Sequence, residues 1–195
     1  MAKDAELTQA EVAALRMYTG PFYIPWNTAL RTYDKDPNLL HSWQTCITVL
    51  YSAVLKLSHE SSKSIVYRGV NESKLKIHEN FYNSQGDKFA GGTELAFMST
   101  TTDEKVALEY ASRGSLTDCT IFKIPFDMAS RGASVNLISQ YSYENELLYP
   151  PCTCLTCEGY EIKDGIKYLS VRASVSTAIP HGIEHIQTVN DKVLN

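Results

Sequence analysis

The sequence lacks several features that would place its protein in a familiar class. Its 195 residues contain no apolar run that approaches the roughly 18 residues of a membrane-spanning helix, so we expect no membrane partner. The first residues, MAKDAELTQAEV, contain no apolar core of a signal peptide. Basic residues are not in excess, because the formal net charge is -4, and we therefore expect no nucleic-acid partner.

Signals for disulfides and metal sites are also scarce. The five cysteines are an odd number, which favours a reduced, intracellular setting. Three of them fall within residues 152–157, but three sulfur atoms do not complete a tetrahedral zinc site. His181 and His185 have the spacing of metal ligands on a helix, yet Pro180 and Gly182 interrupt any helix there. We therefore predict no metal.

The apolar pattern divides the chain into a helical first part and a strand-rich second part. At residues 7–20, Thr8 and Glu11 have the spacing of a capping box that begins a helix. A short second helix follows with Pro25 in its first turn, and residues 43–57 repeat apolar side chains at helical spacing. We predict one domain, 1–195, with a helical part (1–60), a strand-rich core (61–178) and a tail (179–195).

The second part contains short runs of β-branched and aromatic residues bounded by Gly, Pro, Ser and Asn, which is the pattern of short strands. One helix interrupts them at residues 101–114, where Thr101 and Glu104 form a second predicted capping box. The predicted apolar face of that helix consists of Val106, Ala107, Tyr110 and Ala111. Helices that precede a block of strands indicate an α+β protein with packed sheets.

The first segment whose residues are suited to ligand binding or catalysis is IVYRGV. In it, Arg68 lies near the end of an apolar strand and Gly69 follows it. A guanidinium in that position can hold a phosphate through paired hydrogen bonds. The glycine beside it lets a ligand approach the backbone closely. The alternative is an edge-strand arginine that pairs with a surface acid.

Two further segments place hydroxyls and carboxylates at strand ends. In FMSTTTD, Ser99, Thr100 and Thr101 lead from a strand into a helix, so Thr101 is expected to cap the helix while Ser99 is free to point into a cleft. In YENELLYPP, Glu144 and Glu146 are alternate residues, which share one face of a strand. Like charges this close repel each other. The two glutamates therefore belong either to a solvated acidic strand or to a site that binds a positively charged group.

Taken in this order, the three segments resemble the Arg–Ser–Glu class of mono-ADP-ribosyltransferases, the class of cholera toxin and C3 toxin. Residues 18–31, YTGPFYIPWNTALR, are similar to the helical signature of that family. The resemblance implies an α+β fold with N-terminal helices packed on two twisted, mainly antiparallel β-sheets. It also implies NAD as co-substrate, and the sequence has no G-x-G-x-x-G turn of a Rossmann fold.

The resemblance implies a role for each motif residue. Glu146 would stabilise the positive charge that develops on the ribose when NAD loses nicotinamide, and Ser99 would orient Glu146. Arg68 would hold the NAD diphosphate, and the backbone of Gly69 would contact the nicotinamide amide. Glu144 would position the acceptor and take its proton.

Further contacts follow from the same resemblance and from neighbouring side chains. Phe126 is a candidate to stack on nicotinamide, with a core position as the alternative, and Arg131 is a candidate to reach a phosphate. Tyr141 and Tyr143 are candidates to contact an acceptor guanidinium. The remaining predicted NAD contacts are Tyr23, Asn27, Arg31 and Thr100.

The predicted activity is transfer of ADP-ribose from NAD to a side chain of a target protein, with release of nicotinamide. Because Glu rather than Gln stands at position 144, the resemblance favours arginine as the acceptor. The alternatives are a Thr or Ser hydroxyl as acceptor, hydrolysis of NAD, and a non-catalytic NAD-binding module. We expect a monomer that is cytoplasmic, or a secreted or translocated effector that acts in a host cytosol.

Overall fold

The computed structural model describes residues 6–58, 64–73, 76–83, 89–112, 119–126 and 132–175. Arg131, the tail 179–195 and the histidines 181 and 185 lie outside the described residues. No helix in the described ranges is long and apolar enough to span a membrane. Within the same ranges, no three His, Cys, Asp or Glu side chains are grouped so that they could hold a metal ion.

The first part of the chain forms three helices, α1 (Gln9–Met17), α2 (Tyr23–Arg31) and α3 (Pro37–Leu57). The predicted capping box is confirmed, since the Thr8 hydroxyl accepts from the Glu11 N–H and the Glu11 carboxylate accepts from the Thr8 N–H at 2.7 Å. Between α1 and α2 the chain kinks at Gly20, whose dihedral angles are not helical. Beyond the kink, Trp26 is fully buried and packs against Trp43 of α3.

The Glu11 carboxylate also joins α1 to α3. It accepts hydrogen bonds from the Ser52 hydroxyl at 2.7 Å and from the Lys56 ammonium at 3.0 Å. Burial raises the pKa of Glu11, but the hydrogen bonds from Ser52, Thr8 and Lys56 together outweigh it and lower the pKa to about 2. The packing of α1 on α3 therefore depends on an ionised carboxylate.

The depressed pKa of Glu11 predicts a specific loss of stability in acid. Its contribution is complete above the unfolded value of 4.5 and is lost as the pH falls through about 2. We expect Glu11→Gln to lower the free energy of unfolding by roughly 1–3 kcal/mol near neutral pH, and by less as the pH drops below the unfolded pKa. Urea unfolding of both proteins over this pH range measures the difference. A difference that does not change with pH would contradict the assigned ionisation.

In the described ranges, the second part of the chain contains eight strands that form one sheet. They are β1 (Ser64–Asn71), β2 (Gly91–Glu94), β3 (Met98–Thr101), β4 (Cys119–Phe126), β5 (Ala133–Ser134), β6 (Glu146–Tyr149), β7 (Thr153–Lys163) and β8 (Ile166–Val175). The strand order is β2-β7-β8-β4-β1-β3-β6-β5, and among these described strands only the β4–β8 pair is parallel.

The two sheets expected from the sequence are present as two portions of this one sheet. Strands β2, β7, β8, β4 and β1 form the first portion, and β3, β6 and β5 form the second. The portions are joined through β1 and β3, which pair at a single position, Tyr67 opposite Thr101. The mainly antiparallel α+β architecture predicted from the sequence is confirmed.

Alternation along the strands produces two faces. On β4, Phe122, Ile124 and Phe126 point into one apolar core, where Phe81 stacks on Phe122 with ring centres 5.5 Å apart. Ile121 points to the other face, which is covered by a fourth helix, α4 (Glu104–Ala111). The sheet therefore has a buried apolar side and a side that packs against α4.

The start of α4 differs from the prediction. Asp103 is the N-cap, and its carboxylate accepts a hydrogen bond from the Lys105 N–H at 2.9 Å. Thr101 is the last residue of β3, and its hydroxyl donates to the Glu144 carbonyl at 2.6 Å. The predicted cap at Thr101 is wrong because Asp103, an equally good capping residue, lies next to the first helical residue.

Candidate active site

A cleft of about 750 Å³ opens beside the junction of β1 and β3, a size within the about 300–1,000 Å³ of small-molecule sites. Its walls come from the α1–α2 kink, α4 and the loop before β6. The cleft brings together most of the residues predicted from the sequence, which are Tyr23, Asn27, Arg31, Arg68, Gly69, Ser99, Thr100, Tyr141, Tyr143, Glu144 and Glu146.

Glu146, the first residue of β6, is buried in the cleft with 7% of its surface exposed. It lies opposite Thr101, and Ser99 pairs with Leu148, so Ser99 and Glu146 project from the same face of adjacent strands. The Ser99 side chain forms a hydrogen bond with the Glu146 carboxylate. Burial raises the pKa of Glu146, the Ser99 hydrogen bond lowers it, and the charge of Glu144 raises it further.

Glu144 reaches the cleft from a turn. The prediction that Glu144 and Glu146 share one strand face is wrong, because residues 142–144 form a 3-10 turn and Asn145 is left-handed with a φ of 48°. Asn tolerates this conformation better than most residues that have a side chain. The Glu144 carboxylate accepts a hydrogen bond from the Tyr110 hydroxyl of α4 at 3.0 Å. The turn thus leaves Glu144 partly exposed while Glu146 is buried.

The loop that carries Glu144 is anchored at both ends. At its start, the Gln140 N–H donates to the Thr19 hydroxyl at 3.1 Å, and the Gln140 amide donates to the Arg16 carbonyl at 2.6 Å. At its end, the Thr101 hydroxyl holds the Glu144 carbonyl. Residues between these anchors are exposed, so the loop presents its side chains at the cleft mouth from a fixed base.

Arg31 and Arg68 meet at a carboxylate that sequence reasoning missed. Arg31 donates from Nε and Nη2 to the two oxygens of Glu94, at 3.0 and 3.1 Å. Arg68 donates from Nη1 to the Ser99 carbonyl at 3.0 Å, and its Nη2 lies 3.5 Å from Glu94 Oε2. Burial lowers the pKa of Arg68 and the charge of Glu94 opposes that effect. The partner of Arg68 is thus a mostly buried acid of the site, which excludes the surface-pair alternative.

Asn27 lines the cleft, but its amide serves the fold. Nδ2 donates to the Tyr18 hydroxyl at 3.0 Å and to the Phe97 carbonyl at 3.3 Å. Oδ1 accepts from the Phe97 N–H at 3.2 Å. The buried side chain fixes the segment that leads into β3, and the NAD contact predicted for Asn27 stays a prediction.

Phe126 does not line the cleft. It is 3% exposed and packs edge-to-face on Tyr149, with ring centres 6.1 Å apart. The prediction that Phe126 stacks on nicotinamide is wrong, and its alternative, a core position, is correct. The physical reason is strand alternation, which directs Phe126 into the same core as Phe122 and Ile124.

The packing of α4 on β1 assigns new roles to several residues. A Cβ atom on Gly69 would lie 1.9 Å from the Ala107 carbonyl oxygen, so this position requires glycine for helix packing. Val106 and Tyr110 line the cleft together with the buried Ala107, whereas Ala111 of the predicted apolar face is buried and does not line it.

Comparison with known families identifies the family of the chain. The family model of the ADP-ribosyltransferase exoenzymes matches residues 2–178. The chain belongs to this family. The resemblance drawn from the segments around Arg68, Ser99 and Glu146 is thereby confirmed.

The chain is 34% identical over 144 residues to "Putative NAD(+)--arginine ADP-ribosyltransferase Mav" of Mycobacterium avium (strain 104), which is 74% of this chain and 15% of that protein. The chain therefore spans only a small part of that relative's length. Its fold is similar to Vis toxin, an ADP-ribosyltransferase from Vibrio splendidus, with a TM-score of 0.63 and 21% identity over 90% of this chain and 77% of that chain. It is also similar to the Clostridium limosum C3 exoenzyme, with a TM-score of 0.67 and 16% identity over 89% of each chain. These two structures confirm the ADP-ribosyltransferase fold.

The packing role of Gly69 can be separated from a ligand role by substitution. We expect Gly69→Ala to lower the free energy of unfolding by about 1–3 kcal/mol without any ligand, because a Cβ would overlap a backbone oxygen of α4. Thermal and urea unfolding measure this loss. Unchanged stability together with lost NAD binding would show that close approach of a ligand, and not helix packing, requires glycine here.

Proposed function

We propose that this chain is an NAD-dependent mono-ADP-ribosyltransferase that moves ADP-ribose from NAD to a side chain of a target protein and releases nicotinamide. The observation that carries the proposal is the buried Glu146 carboxylate, held by Ser99, in a cleft that Arg31 and Arg68 also line. Family membership over residues 2–178 supports the same reaction.

NAD fits the polarity of this cleft. Its diphosphate carries negative charge, which the Arg68 and Arg31 guanidiniums are suited to bind. Its nicotinamide ring carries positive charge, which suits the Glu144 and Glu146 carboxylates of the same cleft. Gly69 and Tyr23 also line the cleft, and we propose that the Gly69 backbone contacts the nicotinamide amide and that Tyr23 contacts NAD.

The proposed reaction begins with cleavage of the bond between the ribose C1′ and the nicotinamide nitrogen. The bonding electron pair leaves with nicotinamide, and positive charge develops on the ribose. Glu146 faces this charge in a water-poor site, where a fixed carboxylate acts more strongly than in water. Ser99 keeps the carboxylate oriented and favours its ionised form.

The raised pKa of Glu146 predicts the acid limb of the pH profile. Because Glu146 acts as a carboxylate, nicotinamide release should fall on acidification with a midpoint above the ordinary value of 4.5. Glu144→Gln removes a charge that raises this pKa and should move the limb to lower pH. Ser99→Ala removes the bond that lowers it and should move the limb to higher pH. Measurement of kcat/KM for NAD against pH tests both shifts, and a limb that moves in neither variant contradicts the assignment to Glu146.

The acceptor that this mouth suits best is the guanidinium of an arginine side chain. Glu144 is partly exposed there, with Tyr110 holding one carboxylate oxygen. Tyr141 and Tyr143 pack edge-to-face at 6.1 Å and are 45% and 72% exposed, so their rings are available to a planar cation. The guanidinium nitrogen would attack C1′ while its proton passes to Glu144. The arginine in the name of the mycobacterial relative supports this choice.

Loss of Glu146 and loss of Glu144 should affect NAD hydrolysis and ADP-ribose transfer differently. We expect Glu146→Gln to reduce both nicotinamide release and transfer by about 10²–10³-fold, because it removes the charge that faces the ribose cation. Glu144→Gln should reduce transfer to arginine by about 10²-fold or more and leave NAD hydrolysis within about 10-fold, since water needs less positioning. Glu109→Gln, on the exposed side of α4, is the matched control and should retain both activities.

Each alternative function has its own signature in this experiment. An equal loss of hydrolysis and transfer in Glu144→Gln would contradict the acceptor role of Glu144. Hydrolysis with no transfer to any protein would identify an NAD glycohydrolase. NAD binding without nicotinamide release would identify a non-catalytic NAD-binding module, and either result would overturn the proposed transferase.

The acceptor side chain can be read directly from a modified protein. We expect a lysate incubated with the protein and NAD to contain a protein with one added ADP-ribose on arginine, detected by tandem mass spectrometry and missing in Glu146→Gln. ADP-ribose on Ser or Thr would contradict the arginine assignment and retain the transferase. We further propose that the protein is a monomer that acts in a cytosol as a secreted or translocated effector. The toxin and exoenzyme names of the structural neighbours support the effector role alone.

A further inference from the structure

Glu94 joins three elements beside the cleft. It is the last residue of β2, and its carboxylate binds Arg31 of α2 through two hydrogen bonds and lies 3.5 Å from Arg68 of β1. Only 13% of its side-chain surface is exposed. Two guanidiniums therefore share one mostly buried carboxylate.

Glu94 contacts the arginines from the side away from the cleft. It lines a separate, largely apolar cavity of about 90 Å³ together with Phe81 and Phe122, and it is not among the residues that line the cleft. Arg31 and Arg68 line both spaces. The Glu94 carboxylate thus binds N–H groups of the guanidiniums that face away from the cleft. The N–H groups that face the cleft stay available to a ligand.

The carboxylate itself is held in place. Its Oε1 accepts a hydrogen bond from the Ala96 N–H at 3.0 Å, and Glu94 pairs with Thr153 across β2 and β7. One residue beyond Ala96, both backbone groups of Phe97 are bound by Asn27. A fixed anion of this kind determines where each guanidinium lies before any ligand arrives.

The charges of the trio favour binding of a dianion. Two adjacent guanidiniums repel each other, and one carboxylate between them removes that repulsion while it leaves a net positive charge. A diphosphate carries two negative charges and binds best to donors that are already oriented, because no side-chain entropy is then lost. Because Glu94 does not line the cleft, we infer that it orients the two guanidiniums and does not merely neutralise their charge.

We propose that Glu94 is a positioning residue for NAD, which holds Arg31 and Arg68 at a fixed separation with their free N–H groups directed at the diphosphate. The inference rests on the proposed function because it concerns the same cleft. Glu94 would touch no substrate and would act only through the two arginines, which makes Arg31 a second diphosphate ligand beside Arg68.

The test is the effect of Glu94→Gln on NAD affinity. The Gln amide N–H would face a guanidinium N–H, so the paired hydrogen bonds between Arg31 and residue 94 would be lost. The side chain at position 94 would keep nearly the same shape. We expect the KM for NAD to rise about 10-fold and kcat to stay within about 2-fold. Calorimetric titration of NAD into Glu146→Gln and into Glu94→Gln/Glu146→Gln, which should not consume NAD, should show the same rise in Kd.

Two further variants sharpen the test. Glu94→Asp restores the charge on a shorter side chain and should give a KM between wild type and Glu94→Gln. Glu158→Gln removes a carboxylate from the exposed pair with Arg172 and should change neither KM nor kcat. Because Glu94 would act partly through Arg31, the double variant Glu94→Gln/Arg31→Gln should raise KM by less than the product of the two single effects.

Several results would overturn the role of Glu94. An unchanged or lower KM in Glu94→Gln would show that the carboxylate merely neutralises, or competes with the diphosphate. A fall in melting temperature and kcat at constant KM would show a purely structural role. If Glu94→Gln does not fold, Arg31→Lys keeps the charge and loses the fork, and an unchanged KM there would equally overturn it. If the wild-type protein transfers ADP-ribose and Glu94→Gln has an unchanged KM for NAD, this inference alone is contradicted. If the wild-type protein binds NAD and transfers nothing, the proposed function alone is contradicted.

Discussion

The single backbone pairing between β1 and β3 is the constraint on which the site depends. From Tyr67 opposite Thr101, a regular antiparallel ladder would bring Gly69 opposite Ser99 and close the gap between the strands. Instead the Arg68 guanidinium bonds the Ser99 carbonyl and spans that gap. The sheet is thereby continuous enough to hold Ser99, Arg68 and Glu146 in fixed relation, and open enough to leave a cleft beside them.

The cleft is lined by groups of both charges. Its two carboxylates differ in environment, since Glu146 is buried in the sheet and Glu144 lies in an exposed turn. Its two guanidiniums, those of Arg31 and Arg68, are held by Glu94. A charged substrate is oriented by such a field before it makes specific contacts.

Features encoded by neighbouring residues could be predicted from the sequence. The capping box of Thr8 and Glu11, the apolar stripe of α3 and the short strands all depend on local spacing, and the motifs around Arg68, Ser99 and Glu146 are continuous segments. Strand alternation also contained the information that Phe126 belongs to the core, although the resemblance suggested a ligand contact.

The features that could not be predicted depend on contacts between distant segments. Arg31 and Glu94 are 63 positions apart in the sequence, and Asn27 and Phe97 are 70 positions apart. No local sequence pattern therefore indicates either contact. The turn before β6 was missed for a different reason. An alternating Glu-x-Glu pattern suits a strand, and only the left-handed Asn145 shows that the strand begins after it.

The anchored loop before β6 has a consequence for how such a protein diversifies. Its two ends are fixed to the α1–α2 kink and to β3, whereas Tyr141 and Tyr143 between them are exposed and contribute nothing to either core. Glu146 belongs to the neighbouring strand and is unaffected by the identity of these side chains. Substitutions at the loop tip can therefore change the surface at the cleft mouth at little cost in stability. Under the proposed function, the contact with the acceptor protein would change in this way while the residues proposed to cleave NAD stay the same.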